Sequence, residues 1–240
     1  TYIVNALFDL SSDRQHPRKK YRPLAAAKLS ILAGLVGAAA LLFFAFGLAL
    51  LLGLKFIVIL LIYLGLTLFY SFVLKKYVAM DTVALAMLYT LRILAGTAIL
   101  SISVSFWLFA FSIFIFLSLA LVKRCAELKS LEKEGKLITN GRDYRVEDYS
   151  ILVSFGISSA MLSLLMFSFY INNNALTNQY QEPDLLWVVV LGLCYWLMRM
   201  WIKTHRGEMH DDPIVYSLKD KGSIITILTS SIIMMVALSL

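Results

Sequence analysis

Charge is scarce in this chain. Of its 240 residues, 15% are Asp, Glu, Lys or Arg and 60% are hydrophobic. No soluble domain needs that much apolar content to fill a core. The net charge of +7 sits at the ends of apolar runs, not on a soluble basic face, which excludes a nucleic-acid partner. Cysteine is nearly absent. Cys125 and Cys194 make no disulfide framework. Cys125 lies in a basic helix end, Cys194 inside an apolar span, and both read as small packing residues. There is no glycine-rich phosphate loop of the P-loop type, no Gly-x-Ser-x-Gly and no internal repeat. His205 and His210 are not spaced i, i+4 and have no cysteine beside them, which argues against zinc. The first residues lack a charged n-region and a cleavage signature, so no signal peptide is read. Tyr2-Ile3-Val4-Asn5 reads as the end of a helix whose beginning is missing, so a fragment of a longer protein is expected.

What is present is apolar helix. Seven runs, at 24–50, 53–73, 81–101, 106–122, 150–171, 185–202 and 223–240, are each near the roughly 20 residues that cross a bilayer. The expected fold class is all-α, a polytopic transmembrane helix bundle. Three links, at Gly53 to Lys55, Ser101 to Ser105 and Asn172 to Pro183, carry one cation, Lys55. Every other Lys and Arg except Arg92 falls at the opposite helix ends. Lys28 is read there as lying just inside the first complete span. The positive-inside rule makes that face cytoplasmic. Most acids share the face: Asp9, Asp13, Asp81, Glu127, Asp143, Glu147, Asp148, Glu208, Asp211, Asp212 and Asp220. Mixed charge at many helix mouths suggests a polar cavity opening to the cytoplasm.

The stretch Asn5 to Pro23 organises the rest. Asp9 and Asp13 are four apart and share a helix face, and Asn5 joins the stripe. Such a row of oxygens suits a hard cation such as Mg²⁺. The basic run from Arg14 to Arg22 suits phosphate groups or lipid headgroups. Arg18 to Arg22 read equally as topology anchors. Arg92 follows Asp81 by eleven residues, about 16 Å along a helix. That depth is near mid-membrane, where an unpaired cation is costly. Arg92 either pairs with an acid from another helix or reaches a water-filled cavity that receives an anion, the favoured reading; Tyr89 is one turn away. In the loop 123–149, Arg124 and Glu127 are placed i, i+3 and could pair. Glu127 to Gly135 reads as a solvated helix stopped at glycine. Arg142 and Arg145 either close over a phosphate or act as anchors. The carboxylates of 205–220 could also hold a cation.

These motifs resemble the UbiA-type intramembrane prenyltransferase superfamily. Its first motif, Asn-Asp-x-x-Asp-x-x-x-Asp, reads here as Asn5-Ala6-x-x-Asp9-x-x-x-Asp13, followed by Arg14-x-His16-Pro17-x-Lys19-x-x-Arg22-Pro23. The resemblance implies nine helices, of which this chain would hold about seven complete spans. It implies one transmembrane transferase domain over 1–240, truncated at its N-terminus. Tyr70-Ser71-x-x-Leu74-Lys75, Asp81, Leu91-Arg92-x-x-Ala-Gly96 and Lys123-Arg124-x-Ala-Glu127-Leu128 bring it closer to the polyprenyl-phosphate (decaprenyl-phosphate) phosphoribosyltransferases. Where the prenyl-diphosphate branch has a second Asp-x-x-x-Asp, this chain has Lys123-Arg124-x-x-Glu127.

The resemblance then implies Mg²⁺-dependent transfer of 5-phosphoribosyl from phosphoribosyl diphosphate to a polyprenyl phosphate. Asp9 and Asp13 are the candidate metal ligands, and with Lys75 and Arg92 the candidate catalytic residues. Asn5, Arg14, Lys19, Arg22, Lys28, Tyr70, Lys123, Arg124, Glu127, Arg142 and Arg145 are candidates for binding substrate or phosphate. The implied partners are an isoprenoid lipid, a phosphorylated small-molecule donor and the bilayer. An upstream phosphatase-like domain or a homo-oligomer is also implied. The expected location is a bacterial inner or plasma membrane, multi-pass, with the site facing the cytoplasm. Ala6 departs from the family's Asp. Engineered inactivation, natural loss of activity and a tolerated change all stay open. Rival readings are prenyl transfer to an aromatic acceptor, a seven-span transporter or receptor, and a non-catalytic lipid-binding scaffold.

Overall fold

The structure is a computed structural model. It describes residues 19–100, 105–139, 142–172, 180–209 and 212–239, together with Ile3, Ala6, Leu7, Leu10 and Arg14. Seven long helices are present: α1 (Ile31–Leu52), α2 (Leu54–Phe72), α3 (Met80–Leu100), α4 (Phe106–Lys133), α5 (Tyr149–Ile171), α6 (Leu186–His205) and α7 (Lys221–Ser239). Each is long and apolar enough to cross a membrane. The described residues contain no strand beyond a single bridge between Ile138 and Arg145. The chain is an all-α integral membrane protein with several spans, as composition requires.

The chain divides into two compact units, residues 1–73 with 94–102, and residues 74–93 with 103–240. In the first unit, α1 starts later than the apolar run. Arg22 to Leu29 form a turn in which Lys28 N–H donates to Pro23 O at 2.9 Å and Ala27 has φ +55°. Proline and this left-handed residue stop a helix from forming there. Ser30 then caps α1, its Oγ accepting from Ala33 N–H at 3.1 Å. The expected start at residue 24 is thus corrected to Ile31, and Lys28 lies outside the helix. Gly34 lies close to the side chains of Leu24, Leu7 and Ile3, so these three apolar residues pack on α1. Gly53 alone joins α1 to α2, at φ +96°, a conformation that glycine adopts without a Cβ penalty.

The second unit is built on α4 packed along α5. At 28 residues, α4 is about 42 Å long, longer than a hydrocarbon core of roughly 30 Å. Its charged end therefore emerges from the apolar layer as continuous helix, which ends before Gly135 at φ +69°. Three helices meet at Gly156 of α5. Trp201 of α6 donates through Nε1 to Ser118 Oγ of α4 at 3.1 Å, and Ser118 Oγ donates to Gly156 O at 2.9 Å. A Cβ on Gly156 would lie 2.1 Å from the Trp201 ring. Small side chains at helix contacts are how membrane helices approach closely. The surrounding core includes Leu121, Val122, Cys125, Leu152, Leu197 and Met200. At the end of α6, Arg199 grips Asp220 with two bonds, of 2.9 and 2.7 Å. Asp220 also accepts from Ser223 N–H and Oγ, each at 2.9 Å, so it fixes the start of α7.

Candidate functional site

The polar centre of the second unit forms where α3 begins. Asp81 is fully buried. A carboxylate in that position persists only with full pairing. Arg124 of α4, 2% exposed, donates Nε to Asp81 Oδ2 at 2.6 Å. The Arg124 Nη1 donates to Glu127 Oε2, one turn further along α4. Arg142, from the following loop, donates to Glu127 Oε1 at 3.1 Å. Its Nε stands 3.9 Å from Asp81 Oδ2, a Coulombic contact too long for a hydrogen bond. Two acids and two guanidinium groups thus neutralise one another. The fully buried Tyr144 donates its hydroxyl to Asp81 Oδ1 and accepts from Ala79 N–H at 2.9 Å. Burial, then the Asp81 carboxylate, push the Tyr144 hydroxyl well above the ordinary tyrosine range. It stays a proton donor.

Other charges of this unit also meet each other. Lys123 reaches Asp212 at 2.6 Å, and Asp212 caps the short helix Pro213–Ser217 through Ile214 N–H at 3.1 Å. A small recess beside this pair is lined mainly by apolar groups, Leu85, Tyr89, Phe116 and Leu119 among them. Arg92 is exposed and lies over the Tyr89 ring, 4.8 Å from its centroid. Tyr89 stacks in turn on Phe116 at 5.2 Å. The one-turn spacing of Tyr89 and Arg92 is what brings them together.

Of the residues singled out in the sequence, the structure unites Arg124, Glu127 and Arg142. Arg124, expected on a donor phosphate, donates here to Asp81 and Glu127. Arg145 is exposed, and its backbone N–H donates to Asp148 at 2.9 Å. Lys75 is half-buried in the single helical turn Leu74–Lys76. In the first unit, Tyr70 and Arg22 are half-buried, while Arg14 and Lys28 are exposed. Lys19 opens the turn Lys19–Tyr21. Asn5, Asp9 and Asp13 lie outside the described residues, as do Arg18, His210 and Asp211. Among the described residues no group of three or more His, Cys, Asp or Glu could hold a metal. Sequence reasoning missed Tyr144 and the pairing of Asp81. Both contacts span more than sixty or forty residues, where helical spacing carries no signal.

Comparison with known proteins adds five findings. The profile described as the UbiA prenyltransferase family matches residues 1–219. The chain is 40% identical over 224 residues to the uncharacterized protein y4nM of Sinorhizobium fredii, covering 93% of this chain and 43% of that protein. It therefore spans less than half of y4nM. Nodulation protein NoeC of Azorhizobium caulinodans is 31% identical over 230 residues, 95% of this chain and 74% of NoeC. Decaprenyl-phosphate phosphoribosyltransferase of Mycolicibacterium smegmatis is 26% identical over 228 residues, 92% of this chain and 70% of that enzyme. Among solved structures, a UbiA homolog from Archaeoglobus fulgidus bound to GPP and Mg²⁺ superposes with a TM-score of 0.73. At 16% identity it covers 97% of this chain and 81% of that one, which shows a shared fold.

Proposed function

Because the chain belongs to the UbiA prenyltransferase family, whose members are transferases, we propose that it transfers 5-phosphoribosyl from phosphoribosyl diphosphate to a polyprenyl phosphate. The observation that carries this reading lies at Lys123-Arg124-x-x-Glu127. Prenyl-diphosphate relatives have a second Asp cluster there. Here Arg124 is buried against Asp81. The likeness to a decaprenyl-phosphate phosphoribosyltransferase over 92% of the chain supports the same donor.

Asn5, Asp9 and Asp13, spaced four apart in the sequence, offer oxygen donors of the kind Mg²⁺ takes. Bound there, Mg²⁺ would supply Lewis-acid neutralisation of the diphosphate leaving group. Lys75, Arg92 and Lys123 hold diphosphate oxygens, Lys123 in exchange for its contact with Asp212. The bond from the anomeric carbon to diphosphate breaks, and one from that carbon to the lipid phosphate oxygen forms. The acceptor is already an anion, so the chain needs no strong general base. Arg124, Glu127 and Arg142 act on architecture, keeping α3, α4 and the loop together. The site faces the cytoplasm, where the cations and water-soluble donor gather.

A second reading rests on the fold neighbour's GPP and Mg²⁺: a prenyl diphosphate donor and an aromatic acceptor. Equilibrium binding separates the two. Full-length protein in detergent with Mg²⁺ is expected to bind phosphoribosyl diphosphate more tightly than geranyl diphosphate. Binding of geranyl diphosphate alone would overturn the donor assignment.

A further inference from the structure

The α4–α5 loop is fastened to the linker before α3 by one buried hydroxyl. Leu137 and Ile138 of this loop are exposed, whereas Tyr144 is fully buried and Thr139 nearly so. The loop is closed on itself at that point. Thr139 N–H donates to Tyr144 O at 3.1 Å, and Val146 N–H to Leu137 O at 3.1 Å. Thr139 Oγ also stands 2.9 Å from Arg142 O and 3.2 Å from Tyr144 O. Across from it, the linker holds an unusual backbone. Ala79 has φ +64°, a left-handed conformation rare for a residue with a Cβ. Its N–H points at Tyr144 Oη, 2.9 Å away, and two residues later Asp81 accepts that hydroxyl's proton.

An apolar anchor would hold a loop at less desolvation cost than a Tyr–Asp–Arg cluster. What the polar cluster adds is register. It ties together three segments: the linker with Lys75 and Lys76, the charged part of α4 that begins at Lys123, and the loop, whose Arg142 is paired with Glu127. We propose that Tyr144 is a positioning residue that sets the linker bearing Lys75 and Lys76 against the α4–α5 loop for capture of the donor's diphosphate. The donor's part in this rests on the proposed transferase function. The latch itself rests on the contacts of Tyr144 with Ala79 and Asp81.

The test is Tyr144→Phe in the full-length protein, which keeps the ring and deletes the two bonds. The donor KM is expected to rise about 5- to 10-fold, the loss of one or two buried hydrogen bonds, with kcat within about twofold and the acceptor KM unchanged. Tryptic cleavage after the exposed Lys136 should quicken several-fold without any substrate. Thr139→Val, which loosens the same loop from its own side, should move both readouts in the same direction by less, and it stands in where Tyr144→Phe fails to fold. A merely structural role would lower kcat with the folded fraction and leave the donor KM in place, and that result overturns the proposal. So does unchanged cleavage after Lys136. The KM is measured with whichever donor the wild type turns over, phosphoribosyl diphosphate or a prenyl diphosphate, so a wrong donor assignment is seen separately. Where neither is turned over, the Kd of inorganic diphosphate with Mg²⁺ takes the place of KM.

Discussion

Arg124 and Asp81 form an ion pair of 2.6 Å between side chains 2% and 0% exposed, on two different helices. Removing one member leaves the other charged, buried and without its ion-pair partner, which costs about 3–5 kcal/mol. Arg124→Ala is therefore expected to lower the midpoint of thermal unfolding in detergent steeply. Arg124→Lys should recover little of it. A lysine has one ammonium, whereas Arg124 serves Asp81 with Nε and Glu127 with Nη1. Full stability in Arg124→Lys would show that point charge, not the two-pronged geometry, matters.

Gly156 and Trp201 offer a second test. A methyl on Gly156 would overlap the Trp201 ring at 2.1 Å, and both belong to rigid helices. Gly156→Ala should destabilise by about 1–3 kcal/mol or more, as overpacking does. Trp201→Phe removes the overlapping ring atoms. The double variant should then be less damaged than the sum of the singles predicts, a coupling read by a double-mutant cycle. Strict additivity would contradict the contact.

Asp220 carries a pH dependence. Its hydrogen bonds from Arg199 and Ser223 hold its carboxyl well below its usual 3.8. A carboxyl depressed in the folded state stabilises above its unfolded pKa, and loses that contribution as pH falls through the folded value. Wild type should therefore exceed Asp220→Asn in thermal stability at neutral pH. The gap should be flat down to about pH 5 and shrink in stronger acid. A gap that stays constant to strong acid would remove Asp220 as its source.

Much of the fold was legible because long apolar runs admit only helices in a bilayer. Boundaries were less so. The run from residue 24 looked like helix throughout, yet Pro23 and the left-handed Ala27 delay α1 to Ile31. Local pairs such as Arg124 with Glu127 and Arg92 with Tyr89 followed from one-turn spacing. Asp81 did not reveal its partners, since Arg124 and Tyr144 reach it only through tertiary packing. The ion pair of Arg124 with Asp81 was therefore not legible, although its pairing with Glu127 was.

Ala6 bears on the metal. It is 6% exposed, and an Asp placed there must find a cation or stay costly. With Mg²⁺ sharing that carboxylate, Ala6→Asp should unfold at higher temperature as Mg²⁺ is added, more steeply than wild type. Mg²⁺-independent destabilisation of Ala6→Asp would place position 6 away from the metal.

The most direct measurement is turnover. Full-length protein in detergent receives Mg²⁺, phosphoribosyl diphosphate and a polyprenyl phosphate, with lipid products read by mass spectrometry. Parallel samples carry Asp9→Asn, Asp13→Asn or a chelator. The expected result is a phosphoribosyl-lipid that falls by about 10²-fold or more in each Asp variant and vanishes with the chelator. No such lipid, with an aromatic acceptor prenylated instead when prenyl diphosphate is supplied, would contradict the account.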